Sequence, residues 1–252
     1  MAHKLNNIQQ RNQEFESKKP QEIVRWAIGE FGDRIALTSS FGPESGALLH
    51  MISEVNPKVP VLFLETGYHF PETIEYKEKL TKLFGLEDVR DLKADPKVKA
   101  KVVAENDGVP YEKNPDKCCQ INKVEPLDEA LKGFDAWLSG IRRNQTDFRK
   151  SIRIVEEYEG DLYKISPLVN FTSRDAWWYL KEHKIPQHPL YEKGYLSIGC
   201  WPCTRPVQAG EDERSGRWAG KTKTECGIHL FKEIKGKDSA EKDTDKDISS
   251  NI

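Results

Sequence analysis

The sequence predicts an α/β protein built on a doubly wound, mostly parallel sheet. Apolar runs alternate with stretches of helical period over the first 140 residues. The run "VPVLFLE" (59–65) is almost continuously apolar, as a strand covered on both faces should be. The turns after the early strands carry Gly, Pro and Ser, which suit the carboxyl edge of such a sheet.

The elements follow in order. Residues 1–19 form an N-terminal extension with no apolar core behind its positive charges, so they are not a secretory signal. Residues 20–32 place Ile23, Trp26, Ala27 and Phe31 at helical spacing. "RIALTSS" (34–40) reads as a buried strand, and "SGALLHMISEV" (45–55) as an apolar helix. After the strand at 59–65, a helix opens on Pro71 and closes on Gly85. Strands are expected at about 87–92 and at 135–140. Beyond Gly140 the period changes: 152–169 looks like a hairpin, and 173–184 is a helix with Ser173 as its N-cap. The division expected is 20–206 for the α/β domain, 207–232 for a mobile segment and 233–252 for a charged tail too poor in apolar residues to order itself.

The composition narrows the class. With 37% hydrophobic and 32% charged residues the chain reads as a globular protein, and no apolar run approaches the length of a membrane span. A net charge of −2 gives no global basic field, so duplex nucleic acid is not an expected partner. A cytosolic location is expected, where clustered cysteines more often bind metal or do chemistry than pair. Five is also an odd number, which excludes a complete set of disulfides.

Four of the five cysteines come in close pairs, Cys118–Cys119 and Cys200-x-x-Cys203. A structural zinc ion is one reading, but adjacent side chains diverge and a single ion needs each sulfur about 2.3 Å away. An iron–sulfur cluster presents several irons, each taking one thiolate, and suits the spacing better. The loop "SSFGPES" (39–45), between strand and helix, could cradle an anion or be an ordinary βα turn. "LETGYHFPET" (64–73) belongs to the same sheet edge. "SGIRRNQTDFRKSIR" (139–153) concentrates guanidinium groups suited to phosphate or sulfate, or else is a solvated loop. Cys226 stands without a partner after Arg214, Arg217, Lys221 and Lys223, a basic setting that favours a reactive thiolate.

These residues resemble the assimilatory adenylyl-sulfate (APS) reductases and their relatives, the 3′-phosphoadenylyl-sulfate (PAPS) reductases. The resemblance covers about residues 20–231 and is carried by the two cysteine pairs, "WLSGIRRNQT" and "ECGIH". It implies an adenine nucleotide α-hydrolase-like fold of the ATP-pyrophosphatase type. It also implies a [4Fe–4S] cluster on Cys118, Cys119, Cys200 and Cys203, with Cys226 as nucleophile. By the same resemblance Ser39, Ser40, Phe41 and Gly42 surround the phosphosulfate, while Leu64, Thr66 and Gly67 lie beside the nucleoside. Gly140 and Arg149 belong to the arginine loop, and Lys123 lies between cluster and substrate. Arg214, Arg217 and His229 complete the expected substrate contacts. The chain departs from the family at Asn122, where Arg is common, and at Glu65 and Tyr68 of the usual "LDTGR".

The implied activity is reduction of APS to sulfite and AMP through a Cys226 S-sulfonate, with thioredoxin or glutaredoxin as reductant. Members with paired cysteines mostly use APS, so PAPS is the alternative substrate. A reading from another class is a non-catalytic iron–sulfur or zinc module that binds nucleotide or RNA, which leaves Cys226 without a purpose. Oligomeric state stays open.

Overall fold

In the computed structural model, which describes residues 5–158, 161–221 and 223–228, six short strands form one sheet among the described residues. They are β1 (Ile35–Thr38), β2 (Val61–Leu64), β3 (Val89–Leu92), β4 (Ala136–Ser139), β5 (Val155–Tyr158) and β6 (Leu162–Ile165), in the order β3-β2-β1-β4-β6-β5. Neighbours run parallel except β5, which pairs antiparallel with β6 as the expected hairpin. The register pairs Leu37 with Val61 on one side and with Leu138 on the other.

The chain reads as buried strand because both faces are covered. On one face Ile35, Leu37, Val61, Phe63, Ala136 and Leu138 join the large core. That core is completed by α2 (Pro20–Phe31), α3 (Ser45–Ser53), α4 (Pro71–Leu83) and α9 (Ser173–Glu182). The alternate residues Ala36, Leu62 and Trp137 face a smaller core with Leu127 and Leu131 of α8 (Glu125–Leu131). Alternation along the strand thus delivers one apolar set to each layer.

Topology positions the site. The chain leaves β1 toward β2 and β3, then returns over the opposite face to β4 on the other side of β1. Adjacent loops therefore part company above β1 and β4, and this divergence opens a crevice at the carboxyl edge. The return passes through α5 (Pro96–Glu105), α6 (Pro110–Lys113), α7 (Pro115–Cys119), a π-helical turn (Gln120–Val124) and α8. α5 and α7 each start on Pro behind a capping side chain: Asp95 accepts from the Lys97 and Val98 amides at 2.8 and 3.0 Å, and Asn114 from Lys117 at 3.0 Å.

Residues 1–19 contribute α1 (Ile8–Phe15), which lies along the edge strand β5. The Asn12 carboxamide donates to the Val155 carbonyl and accepts from its amide, both at 2.9 Å. A buried side chain thereby satisfies backbone groups that an edge strand would otherwise leave open. At α9 the N-cap is Thr172, not Ser173: the Thr172 hydroxyl accepts from the Asp175 amide at 3.1 Å, and Asp175 returns the contact in a capping box. Ser173 sits one residue too far along to cap, and its hydroxyl is used in the site below. Of the chain ends, the tail 233–252 and His229 lie outside the described residues.

Candidate active site

The crevice above β1 and β4 is a cavity of about 220 Å³. Ser39, Ser40, Gly42, Leu64, Lys123, Gly140, Arg149, Arg214, Arg217 and Cys226 all line it, so five separated segments of sequence converge there. Phe41 does not. Its backbone turns the loop at φ 48°, while its ring is buried against Phe63 with centroids 5.6 Å apart. The loop is held by its own hydroxyls: Ser39 Oγ accepts from the Phe41 amide at 3.2 Å, and Ser45 Oγ from the Gly42 amide at 2.9 Å.

Thr66 and Gly67, expected beside a nucleoside, are placed differently. Thr66 lines a second, small cavity, its Oγ1 3.4 Å from Cys200 Sγ. Gly67 lines neither cavity and sits at φ 76°, where Lys99 donates to the Thr66 carbonyl at 2.6 Å. Tyr68 packs its ring 5.3 Å from Tyr111, and the Lys99 ammonium stands 5.1 Å above it. Lys99 thus brings a cation to the loop in which Tyr68 replaces the usual arginine.

The small cavity is lined by all four paired cysteines, Cys118, Cys119, Cys200 and Cys203. Their convergence depends on a local irregularity. Residues 115–131 are helical almost throughout, but Pro126 has no amide hydrogen to give to residue 122 and crowds that turn. The helix opens into a π turn, and the Asn122 side chain donates to the Cys118 carbonyl at 2.9 Å and lies 3.7 Å from Cys118 Sγ. Burial together with the nearby Cys200 and Cys203 pushes the Cys118 thiol up to about 11. The polar hydrogens of Thr66 and Asn122 at the sulfurs suit thiolate ligands, whose charge such contacts temper. Among the described residues, no three His, Cys, Asp or Glu side chains are arranged around a point as the shell of a single metal ion.

Lys123, Arg217 and Trp218 line both cavities and form the wall between them. Burial works against the Lys123 charge, but the sulfurs of Cys200, Cys226 and Cys119 hold its pKa above the ordinary value. Arg217 lies against the Gly199 backbone, where any side chain would collide with its guanidinium, and stacks 4.3 Å over Trp218. Half-buried Cys226 sits beside this wall. A hydrogen bond shared with Cys119 favours its thiolate, burial opposes it, and Lys123 and Arg217 add to the lowering; the net shift is well below the ordinary value.

Two carboxylate–arginine pairs with buried guanidinium groups frame the cavity, and sequence reasoning missed both. Arg142, 1% exposed, donates to Glu44 at 2.8 Å and to Ser173 Oγ at 3.1 Å, and Ser173 donates to Glu213 at 2.6 Å. Arg149 grips Glu225 bidentately at 2.9 and 2.7 Å, with Thr146 Oγ1 donating to the same carboxylate at 2.8 Å. Burial alone would raise the Glu225 carboxyl, but the Arg149 fork, Arg214 and Thr146 hold it below its usual value. Burial and the neighbouring Arg149 push Arg214 down to about 10, which leaves it charged at neutral pH. The signal available in sequence was only adjacency, since Glu225 precedes Cys226.

The comparisons agree with this geometry. The phosphoadenosine phosphosulfate reductase domain family matches residues 34–206. An adenosine 5′-phosphosulfate reductase of Mesorhizobium japonicum is 45% identical over 213 residues, covering 84% of this chain and 83% of that protein. One from Halalkalibacterium halodurans is 40% identical, covering 88% and 96%. Among solved structures, a phosphoadenylyl-sulfate reductase from Candida auris superposes with a TM-score of 0.68 at 28% identity, over 80% of this chain and 98% of that one. The adenine nucleotide α-hydrolase-like fold extends to an FMN adenylyltransferase of Candida glabrata, at TM-score 0.55 and 14% identity over 93% and 85% of the two chains. A crevice at the switch point, lined by arginines and by the thiol of Cys226, thus sits in a chain that belongs to the phosphoadenosine phosphosulfate reductase family.

Proposed function

We propose that this chain reduces adenosine 5′-phosphosulfate to sulfite and AMP, as the names of its 40–45% identical relatives suggest. The observation that carries the reading is the position of Cys226. Its thiol lines a crevice at the carboxyl edge of the sheet, among Lys123, Arg214 and Arg217. A lone structural cysteine needs no such setting.

The residues suggest two half-reactions. Cys226 Sγ attacks the sulfur of the sulfate group; a sulfur–sulfur bond forms, the bond from sulfur to the bridging oxygen breaks, and AMP leaves with the electron pair. The attack brings a thiolate toward anionic oxygens, and Lys123, Arg214 and Arg217 offset that repulsion where charge develops. A dithiol protein such as thioredoxin or glutaredoxin then attacks Cys226 Sγ. Sulfite leaves with the electron pair of the broken sulfur–sulfur bond, and the second thiol resolves the mixed disulfide. The two electrons come from the dithiol, which is oxidised to a disulfide.

The four paired thiols facing one cavity support a [4Fe–4S] cluster held by Cys118, Cys119, Cys200 and Cys203. When bound, it would supply a buried charged group that polarises the shared wall. Lys123 stands on that wall and holds its proton, so its charge is available to either side. All five cysteines are free thiols, which suits a reducing cytoplasmic setting, and no described helix is long and apolar enough to cross a membrane. The relatives' names favour the nucleotide without a 3′-phosphate, and kcat/KM for both nucleotides tests that choice.

The direct test mixes reduced enzyme with the nucleotide and no reductant. One AMP per chain should appear, with a mass gain of about 80 Da on Cys226, the addition of SO₃ expected of a covalent intermediate. Cys226→Ser should form no adduct. Sulfite release by that variant at the wild-type rate would sink the reading.

A further inference from the structure

Glu225 is a buried carboxylate next to the proposed nucleophile, yet it does not line the crevice. Its oxygens reach the loop after β4, and Oε2 also lies 3.5 Å from Arg214 Nη2. Arg149 Nε and Nη2 hold one oxygen each, and Thr146 Oγ1 adds a third contact. Arg149 Nη1 donates to Gln145 Oε1, so every nitrogen of that guanidinium has a protein partner. On the other side of Cys226, Gly227 presses against Val124 of the π turn, where an added Cβ would come within 3.0 Å of Cγ2. The thiol is therefore set by two fixed neighbours, one clasped to the β4 loop and one packed on the turn that carries Lys123.

We infer that Glu225 is the positioning residue for Cys226: its clasp on Arg149 and Thr146 sets the thiol at the crevice for attack on the nucleotide. The inference rests on the proposed function for its meaning but not for its first measurement. The first half-reaction needs the thiol held in line with the scissile bond, which the clasp provides. The second needs Sγ reachable from outside by another protein, and a half-buried, clasped thiol is poorly placed for that. Losing the clasp should therefore slow the first step and leave the second unslowed.

The experiment uses the full chain as isolated. Glu225→Gln keeps the shape but replaces one carboxylate oxygen with an amide NH2 that faces the arginine. Amide hydrogen exchange over 223–228 should quicken by about tenfold or more, because breaking one side of a buried charge pair is costly. Exchange in β1 and β4 should not change. The single-turnover rate of AMP formation should fall by a similar factor, whereas sulfite release from the preformed S-sulfonate by dithiothreitol should not slow. Glu225→Asp should recover part of the first step. Thr146→Val removes one hydrogen bond and should quicken exchange about twofold to tenfold, which keeps the test open if the Gln variant misfolds. Unchanged exchange over 223–228 in a folded variant, or an unchanged rate of AMP formation, overturns the inference. If exchange quickens while the wild-type chain forms no adduct with the nucleotide, the clasp stands and the proposed function falls.

Discussion

Arg142 offers the most demanding test of how the crevice is held together. Its side chain is 2% exposed and its guanidinium lies 2.5 Å from Glu44 Oε2, whose own side chain is 25% exposed. Arg142→Met fills most of the volume but leaves Glu44 facing an apolar wall with no cation. Removing one partner of a buried pair costs roughly 3–5 kcal/mol, and the partial exposure of Glu44 argues for about 3 kcal/mol. The deficit should depend on pH. Burial raises the Glu44 carboxyl, Arg142 pulls it back, and Glu213 raises it further, leaving it above the ordinary 4.5. A raised acid favours the folded state below its unfolded value, and that contribution is lost as pH rises through the folded value. Without Arg142 the rise grows, so the variant should lose most at pH 8 and little below 4.5. Urea unfolding at both pH values measures this. Adding Glu44→Gln should recover more than half of the loss at pH 8, since no charge is then left buried. A deficit below about 1 kcal/mol at pH 8, an equal deficit at both pH values, or no recovery in the double variant would refute the reasoning.

Two further outcomes follow from the packing. Asn12→Ala strips β5 of two hydrogen bonds to Val155 and should destabilise the chain by about 1–3 kcal/mol while leaving the first half-reaction unchanged; equal stability of variant and wild type in urea would show that water replaces the amide at no cost. Gly199→Ala forces Arg217 off its seat and should raise KM for the nucleotide about tenfold, a single charge-assisted contact's worth; an unchanged KM would show that Arg217 does not reach the substrate.

What the sequence by itself determined is what local pattern can encode. Buried strands declare themselves through runs such as "VLFL", and the paired cysteines and the basic residues before Cys226 declare chemistry through residue type and spacing. The return over 96–131 escaped because its helices are short and charged, and Pro126 breaks their period; the caps Asp95 and Asn114, each before a proline, were the readable trace. Only the tertiary structure decided the rest. β4 must lie beside β1 before Ser39, Gly140 and Arg149 can share a crevice, and strand order follows from covering both faces of the sheet, which no window of sequence contains. Glu225 and Arg149 are 76 residues apart, and Arg142 and Glu44 are 98 apart. Such pairs have no period, and what selects them is the cost of leaving a charge buried alone, which arises only once the chain has closed around it.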